Sequence, residues 1–237
     1  MLRRPMKIAY VIYPDFTALD LIGPYEVISL WPDVELHWVA TTTGPVSSDH
    51  GLTVLPTTTP AQLPDPDVVV IPGSSKPLGP LDDEVLLDWV RQVAPTATWL
   101  ASACTGSGVY GAADVLTGRR ATTHWGFRES LKAMGVDVAA DRVVFDGKFV
   151  TGAGVSAGID MALALTARVH GEELAKAIQL GIEYDPEPPF DSGSPDKASA
   201  STLRLTMRML MGDTPLRTLR QTSARMIGDR VRRLRRA

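Results

Sequence analysis

The sequence contains one cysteine, Cys104, followed at once by Thr105-Gly106-Ser107-Gly108. Residues 98–103 read as a strand and residues 105–113 as a helix. A thiol between them therefore sits on a sharp turn at the carboxyl end of a sheet, with the N–H groups and positive end of a helix beside it. That placement predicts a reactive thiol with a depressed pKa. The competing reading is a packed core residue, since free cysteine is among the most buried residue types.

A thiolate that attacks carbon needs a partner to move protons. Asp20, in Phe16-Thr17-Ala18-Leu19-Asp20-Leu21-Ile22-Gly23-Pro24, is an acid among apolar residues. It is expected in a loop over the same sheet edge, with a helix N-cap as the plainer alternative. His124, in Ala121-Thr122-Thr123-His124-Trp125, either faces the cysteine or is hydrogen-bonded inside the fold. Pro72-Gly73-Ser74-Ser75 ends another strand-like run, and its small residues are expected to turn backbone N–H groups toward an electron-rich atom. A phosphate-loop pattern is absent, and Gly106-x-Gly108 alone does not make a dinucleotide site. His37, His50 and His170 have no metal-ligand spacing, and one thiol supports neither a disulfide nor a multi-cysteine zinc site.

The elements that must position these residues follow from periodicity. Residues 7–13, 35–42, 67–71 and 98–103 read as strands; residues 19–31, 82–94, 105–113, 125–134, 157–170 and 172–184 carry apolar positions at helical spacing. Their alternation predicts an α/β fold, a mostly parallel sheet covered by helices. Residues 46–54 and 142–152 read as small hairpins, the second turning at Asp146-Gly147, and both are expected as excursions from the main sheet. After Tyr184, a segment rich in Pro, Gly, Ser and Asp cannot continue a helix and is an ordered crossing loop or a linker. Residues 1–199 are expected as the catalytic domain and 200–237 as a helical extension, with Leu216, Leu219, Ile227, Val231 and Leu234 on one face.

With 237 residues, 44% of them hydrophobic and 22% charged, the chain has globular composition. The apolar run after Arg3 and Arg4 is too short for a signal-peptide core, and no run reaches the length of a membrane span, so a cytoplasmic protein is expected. Net charge is −3, but ten arginines against Asp213 and Asp229 put +8 on residues 200–237 and leave −11 on the rest. Nucleic acid is therefore not an expected partner of the main body.

The segments LDLIGPYEV, VVVIPGS, ASACTGSGVYGAADVLTGRRATTHW and VTGAGVSAGIDMALAL together resemble the PfpI superfamily over roughly residues 7 to 200. Asp rather than Glu in LDLIGP, Thr rather than His after the cysteine, and the IEYDPEPPFDSGSPDKAS segment are similar to its isonitrile-hydrating branch. The resemblance implies a flavodoxin-like sandwich with a C-terminal helical extension and a homodimer. It also implies hydration of an isonitrile to an N-substituted formamide through a covalent thioimidate, with no cofactor or metal. Carried over by residue, it makes Cys104 the nucleophile, Asp20 the proton-handling acid and Thr105 a polar neighbour, with Gly73, Ser74 and His124 on the substrate side. Ser74 stands where the family usually has a second glycine. Two other readings stay open: a ligand-sensing module like those fused to AraC-type regulators, and an aldehyde-directed or stress-response member of the superfamily. About 40 residues follow the Pro-rich loop, too few for the paired helix-turn-helix units of such regulators.

Overall fold

The computed structural model describes residues 4–211. The chain divides into two compact units, residues 1–184 and residues 185–237. The described part of the second holds α7 (Ala200–Met211). The apolar stripe expected from Leu216 to Leu234 lies outside the described residues.

The first unit is built on a six-stranded sheet. Its strands are β1 (Met6–Val11), β2 (Val34–Val39), β5 (Val68–Ile71), β6 (Trp99–Ala103), β9 (Val143–Asp146) and β10 (Phe149–Gly152), in the spatial order β2-β1-β5-β6-β10-β9. Every pairing is parallel except β9 with β10. The two-stranded pairs β3 (Val46–Ser47) with β4 (Thr53–Val54), and β7 (Arg120–Ala121) with β8 (Asp137–Val138), lie outside it. All four residues of β5 are buried, which is why this central strand reads as an unbroken β-branched run.

From β1 the chain passes through α1 (Ala18–Ile28) to β2 on one side, whereas β5 passes through α2 (Glu84–Val93) to β6 on the other. Right-handed crossovers in opposite directions put these helices on opposite faces and open a crevice between the carboxyl ends of β1 and β5. α1 packs with α5 (Ala157–His170), which packs in turn with α6 (Glu172–Gly181), while α2 packs with α3 (Ser107–Ala112) and α3 with α4 (Arg128–Ala133). The α1–α5 approach is close. A Cβ added at Gly158 would lie 3.1 Å from Pro24 Cδ and 3.4 Å from Ala103 Cβ. α2 starts where the Asp83 side chain accepts the Leu86 N–H at 3.1 Å, and it buries Leu86, Leu87, Trp89, Val90 and Val93.

One expectation is corrected here. Residues 142–152 are not an excursion: β10 lies parallel beside β6, and β9 caps the sheet antiparallel to it. The Asp146-Gly147 turn forms as expected, with Gly147 at φ 59°, but a turn dipeptide does not reveal that the strand after it enters the core.

Candidate active site

Cys104 follows β6 directly and has φ 55°, a left-handed conformation that costs a non-glycine residue about 1–3 kcal/mol. The turn is held from several sides. The Thr123 hydroxyl donates to the Cys104 carbonyl at 2.8 Å, and the buried Tyr110 hydroxyl of α3 donates to Ala101 O and Val69 O at 3.1 and 3.2 Å. The segment that follows is a 3-10 turn, Cys104–Gly106, before α3 begins at Ser107.

Asp20 lies in the first turn of α1 rather than in a loop, and it is fully buried. It does not cap its own helix, whose N-cap is Thr17. Instead its Oδ2 accepts the Gly73 N–H at 2.9 Å, and Oδ1 has no hydrogen-bond partner among the described residues. Gly73 is required by space. A Cβ there would sit 2.6 Å from Thr105 N, 2.7 Å from Asp20 Oδ2 and 2.8 Å from Cys104 Cβ. The loop after β5, the turn after β6 and the first turn of α1 therefore meet at this one residue.

Thr105 and Ser74 form a second tie. Ser74 N–H donates to Thr105 Oγ1 at 2.9 Å, and that hydroxyl donates back to Ser74 O at 3.2 Å. The Ser74 hydroxyl donates to Asp15 O at 2.7 Å. Both backbone donors expected to face a ligand, those of Gly73 and Ser74, thus already hold the site's own side chains. His124 is joined by no hydrogen bond to Cys104 or Asp20. Its Nδ1 accepts the Gly126 N–H at 3.2 Å, and its ring lies 5.2 Å from that of Trp125. Burial, with Arg128 nearby, lowers its pKa and favours the neutral imidazole.

Three contributors escaped the sequence reading. Thr123 ties down the cysteine turn. Asp49, carried in by the β3–β4 hairpin and bonded by the Thr17 hydroxyl at 2.8 Å, adds negative charge near Asp20 and Cys104. Tyr13, just beyond β1, is buried and donates to Pro72 O at 2.5 Å. The available signal for Tyr13 was a tyrosine ending a buried strand, where its hydroxyl must find a partner.

Among the described residues the site holds carboxyl groups and a thiol without a neutralising cation. Burial pushes Asp20 up to about 7, against the opposing pull of the Gly73 N–H and the thiol. The Cys104 thiol, 4% exposed, is pushed well above its ordinary value by burial and by the Asp20 carboxylate. This reverses the expected depression, because lost hydration outweighs what a single 3-10 turn and the Thr105 N–H return. Among the described residues no cluster of His, Cys, Asp and Glu has the geometry of a metal site.

A nucleophile-type turn at the carboxyl edge of a parallel sheet, with a buried acid beside its thiol, agrees with sequence comparison: the chain belongs to the DJ-1/PfpI family, whose model matches residues 6–168. It is 44% identical over 214 residues to isonitrile hydratase from Pseudomonas putida, across 90% of this chain and 93% of that protein. The crystal structure of a THiJ/PfpI family protein from Pseudomonas syringae superposes with a TM-score of 0.86 at 34% identity, covering 94% of this chain and 91% of that one. The HTH-type transcriptional regulator CdhR from Pseudomonas aeruginosa is 32% identical over 184 residues, which are 74% of this chain but 53% of the regulator.

Proposed function

We propose that this chain is an enzyme that hydrates isonitriles to N-substituted formamides without a cofactor, with Cys104 as nucleophile and Asp20 as proton carrier. The observation that carries the reading is the buried Asp20–Cys104 pair, in which Gly73 occupies Oδ2 and leaves Oδ1 to hold the proton. The 44% identity to a hydratase across nine-tenths of the chain supports the substrate class.

The pair titrates as a unit. In its one-proton form, transfer from sulfur to carboxylate gives a thiolate beside a neutral acid without creating net charge. The thiolate attacks the terminal isonitrile carbon, and Asp20 Oδ1 delivers its proton to that carbon, giving a thioimidate. Water then adds to the C=N bond, with Asp20 taking a proton from the water and passing it to the nitrogen. Collapse of the adduct breaks the C–S bond, releases the formamide and returns a proton to the pair. Thr105, Gly73 and Ser74 keep the two reacting groups in register, and His124 lies on the substrate side as a neutral imidazole whose Nδ1 accepts the Gly126 N–H and whose Nε2 is the donor. A homodimer and a cytoplasmic location complete the reading.

Incubation with cyclohexyl isonitrile, following loss of the isonitrile infrared band and appearance of N-cyclohexylformamide against a methylglyoxal control, tests the reaction. Turnover of methylglyoxal alone overturns it. The active one-proton form predominates above the first macroscopic pKa, so kcat/KM should rise with pH through an acid limb near 7.

A further inference from the structure

We infer that Tyr13 is a positioning residue for Asp20, acting through the Pro72–Gly73 peptide group that lies between them. The inference rests on the proposed role of the Asp20–Cys104 pair. Tyr13 donates to the carbonyl oxygen of Pro72 at 2.5 Å, and the N–H of Gly73 donates to Asp20 Oδ2 at 2.9 Å. That oxygen and that N–H belong to one planar peptide unit, which is trans, so they point in opposite directions along one line. The result is a continuous file: tyrosine hydroxyl, amide carbonyl, amide N–H, carboxylate.

Hydrogen bonds in such a chain polarise one another. Donation into the Pro72 carbonyl draws electron density toward its oxygen and leaves the Gly73 N–H a stronger donor. A stronger donor at Oδ2 favours the ionised carboxylate and holds the acid's proton on Oδ1, which faces no other hydrogen-bond partner among the described residues. Tyr13 stays a donor throughout, because burial and the charges of Asp20, Cys104 and Asp49 push its own ionisation well above the ordinary tyrosine range.

The titratable groups facing Asp20 are Cys104 on the turn after β6, Asp49 on the β3–β4 hairpin and Tyr13 itself. None is a cation, so the Gly73 N–H is the counterweight to burial that another residue can adjust. The next peptide is built alike: Thr17 N–H donates to Gly73 O at 2.8 Å and Ser74 N–H donates to Thr105 Oγ1. Its donor is a backbone group, however, and offers no side chain to tune. Tyr13 is therefore the point at which the file is adjustable by sequence.

The test compares the parent, Tyr13→Phe, and a protein carrying 3-fluorotyrosine at position 13 alone, introduced by nonsense suppression. The readout is the pH dependence of Cys104 alkylation by iodoacetamide, together with kcat and KM for cyclohexyl isonitrile. Strengthening of about 10–30% per bond predicts that Tyr13→Phe raises the acid limb of the alkylation profile by roughly half a pH unit, about threefold in the proton equilibrium. kcat should fall at neutral pH with KM unchanged, since Tyr13 does not touch the substrate. The more acidic fluorinated hydroxyl is a stronger donor and should move the limb the opposite way; it keeps the side chain's shape, so it carries the test even if the phenylalanine variant fails to fold. A folded Tyr13→Phe protein that melts earlier but keeps the parent's limb overturns the inference, as does a fluorinated protein with the parent's limb. A parent inert toward isonitriles but showing the shifted limbs overturns the hydratase reading and leaves the Tyr13 assignment standing.

Discussion

The two ends of β5 handle acidic groups in opposite ways. At the amino end, Asp67 accepts two bonds from Arg4 at 2.7 and 2.9 Å and the Lys7 N–H at 2.8 Å, while Asp65 pairs with Lys7 Nζ at 2.8 Å. The hydrogen bond and charge of Lys7 hold Asp65 below the usual carboxylate range. At the carboxyl end, Asp20 is fully buried, meets one backbone N–H and no cation among the described residues, and titrates near 7. The same strand thus has at one end an acid, Asp65, held ionised by its partner and at the other an acid suited to exchanging its proton, and the difference lies in hydration and counter-charge rather than residue type.

The most severe way to break this contrast is at the sulfur. Cys104→Ala should reduce isonitrile hydration below detection while leaving the circular dichroism spectrum unchanged, and intact-mass measurement of the parent with substrate should find the adduct on Cys104.

Asp20→Asn keeps an acceptor for Gly73 but loses the proton, and it should slow the reaction by about 10²–10⁴-fold. It should also change stability with a definite sign. The folded parent holds the Asp20 proton up to about 7, whereas the unfolded chain releases it near the ordinary value of 3.8. Stability of the parent therefore falls as pH rises between those values and stays lower above them. Urea unfolding should show the Asn variant more stable than the parent by about 2–4 kcal/mol at pH 8, with the difference gone at pH 4.

Gly73→Ala drives a methyl group against Thr105 N, Asp20 Oδ2 and Cys104 Cβ. Displacing the pair should cost about 10²-fold in kcat and about 1–3 kcal/mol of stability by overpacking. At the other end of the strand, Asp65→Asn removes a solvent-exposed pair and should leave both activity and the melting curve unchanged within replicate scatter. A large effect of Asp65→Asn on the pH profile would contradict the division between the two ends.

Much of this was legible in the chain. Buried parallel strands write themselves as β-branched runs, so β5 and β6 were clear, and the lone thiol after a strand located the turn. Asp20 was conspicuous as an acid among apolar residues. What remained hidden depends on the third dimension. Asp146-Gly147 announces a hairpin but not that Phe149–Gly152 will lie beside β6. The direction of the thiol's pKa depends on how much water the turn retains. Tyr13 reaches Asp20 through a peptide group some sixty positions further along, a path that no local pattern encodes.

The position of β10 bears on biogenesis. The site draws on residues 13–20, 72–74 and 104–105, yet β6 gains its outer neighbour only when Phe149–Gly152 pairs with it, and Ala103 is backed by Gly158 of α5. About fifty residues lie in the chain between Cys104 and that wall, so vectorial synthesis makes the cysteine turn well before the wall. Until those residues are in place, the strand that leads into the cysteine turn keeps an open edge. Closure of the last parallel strand both completes the sheet and covers that edge.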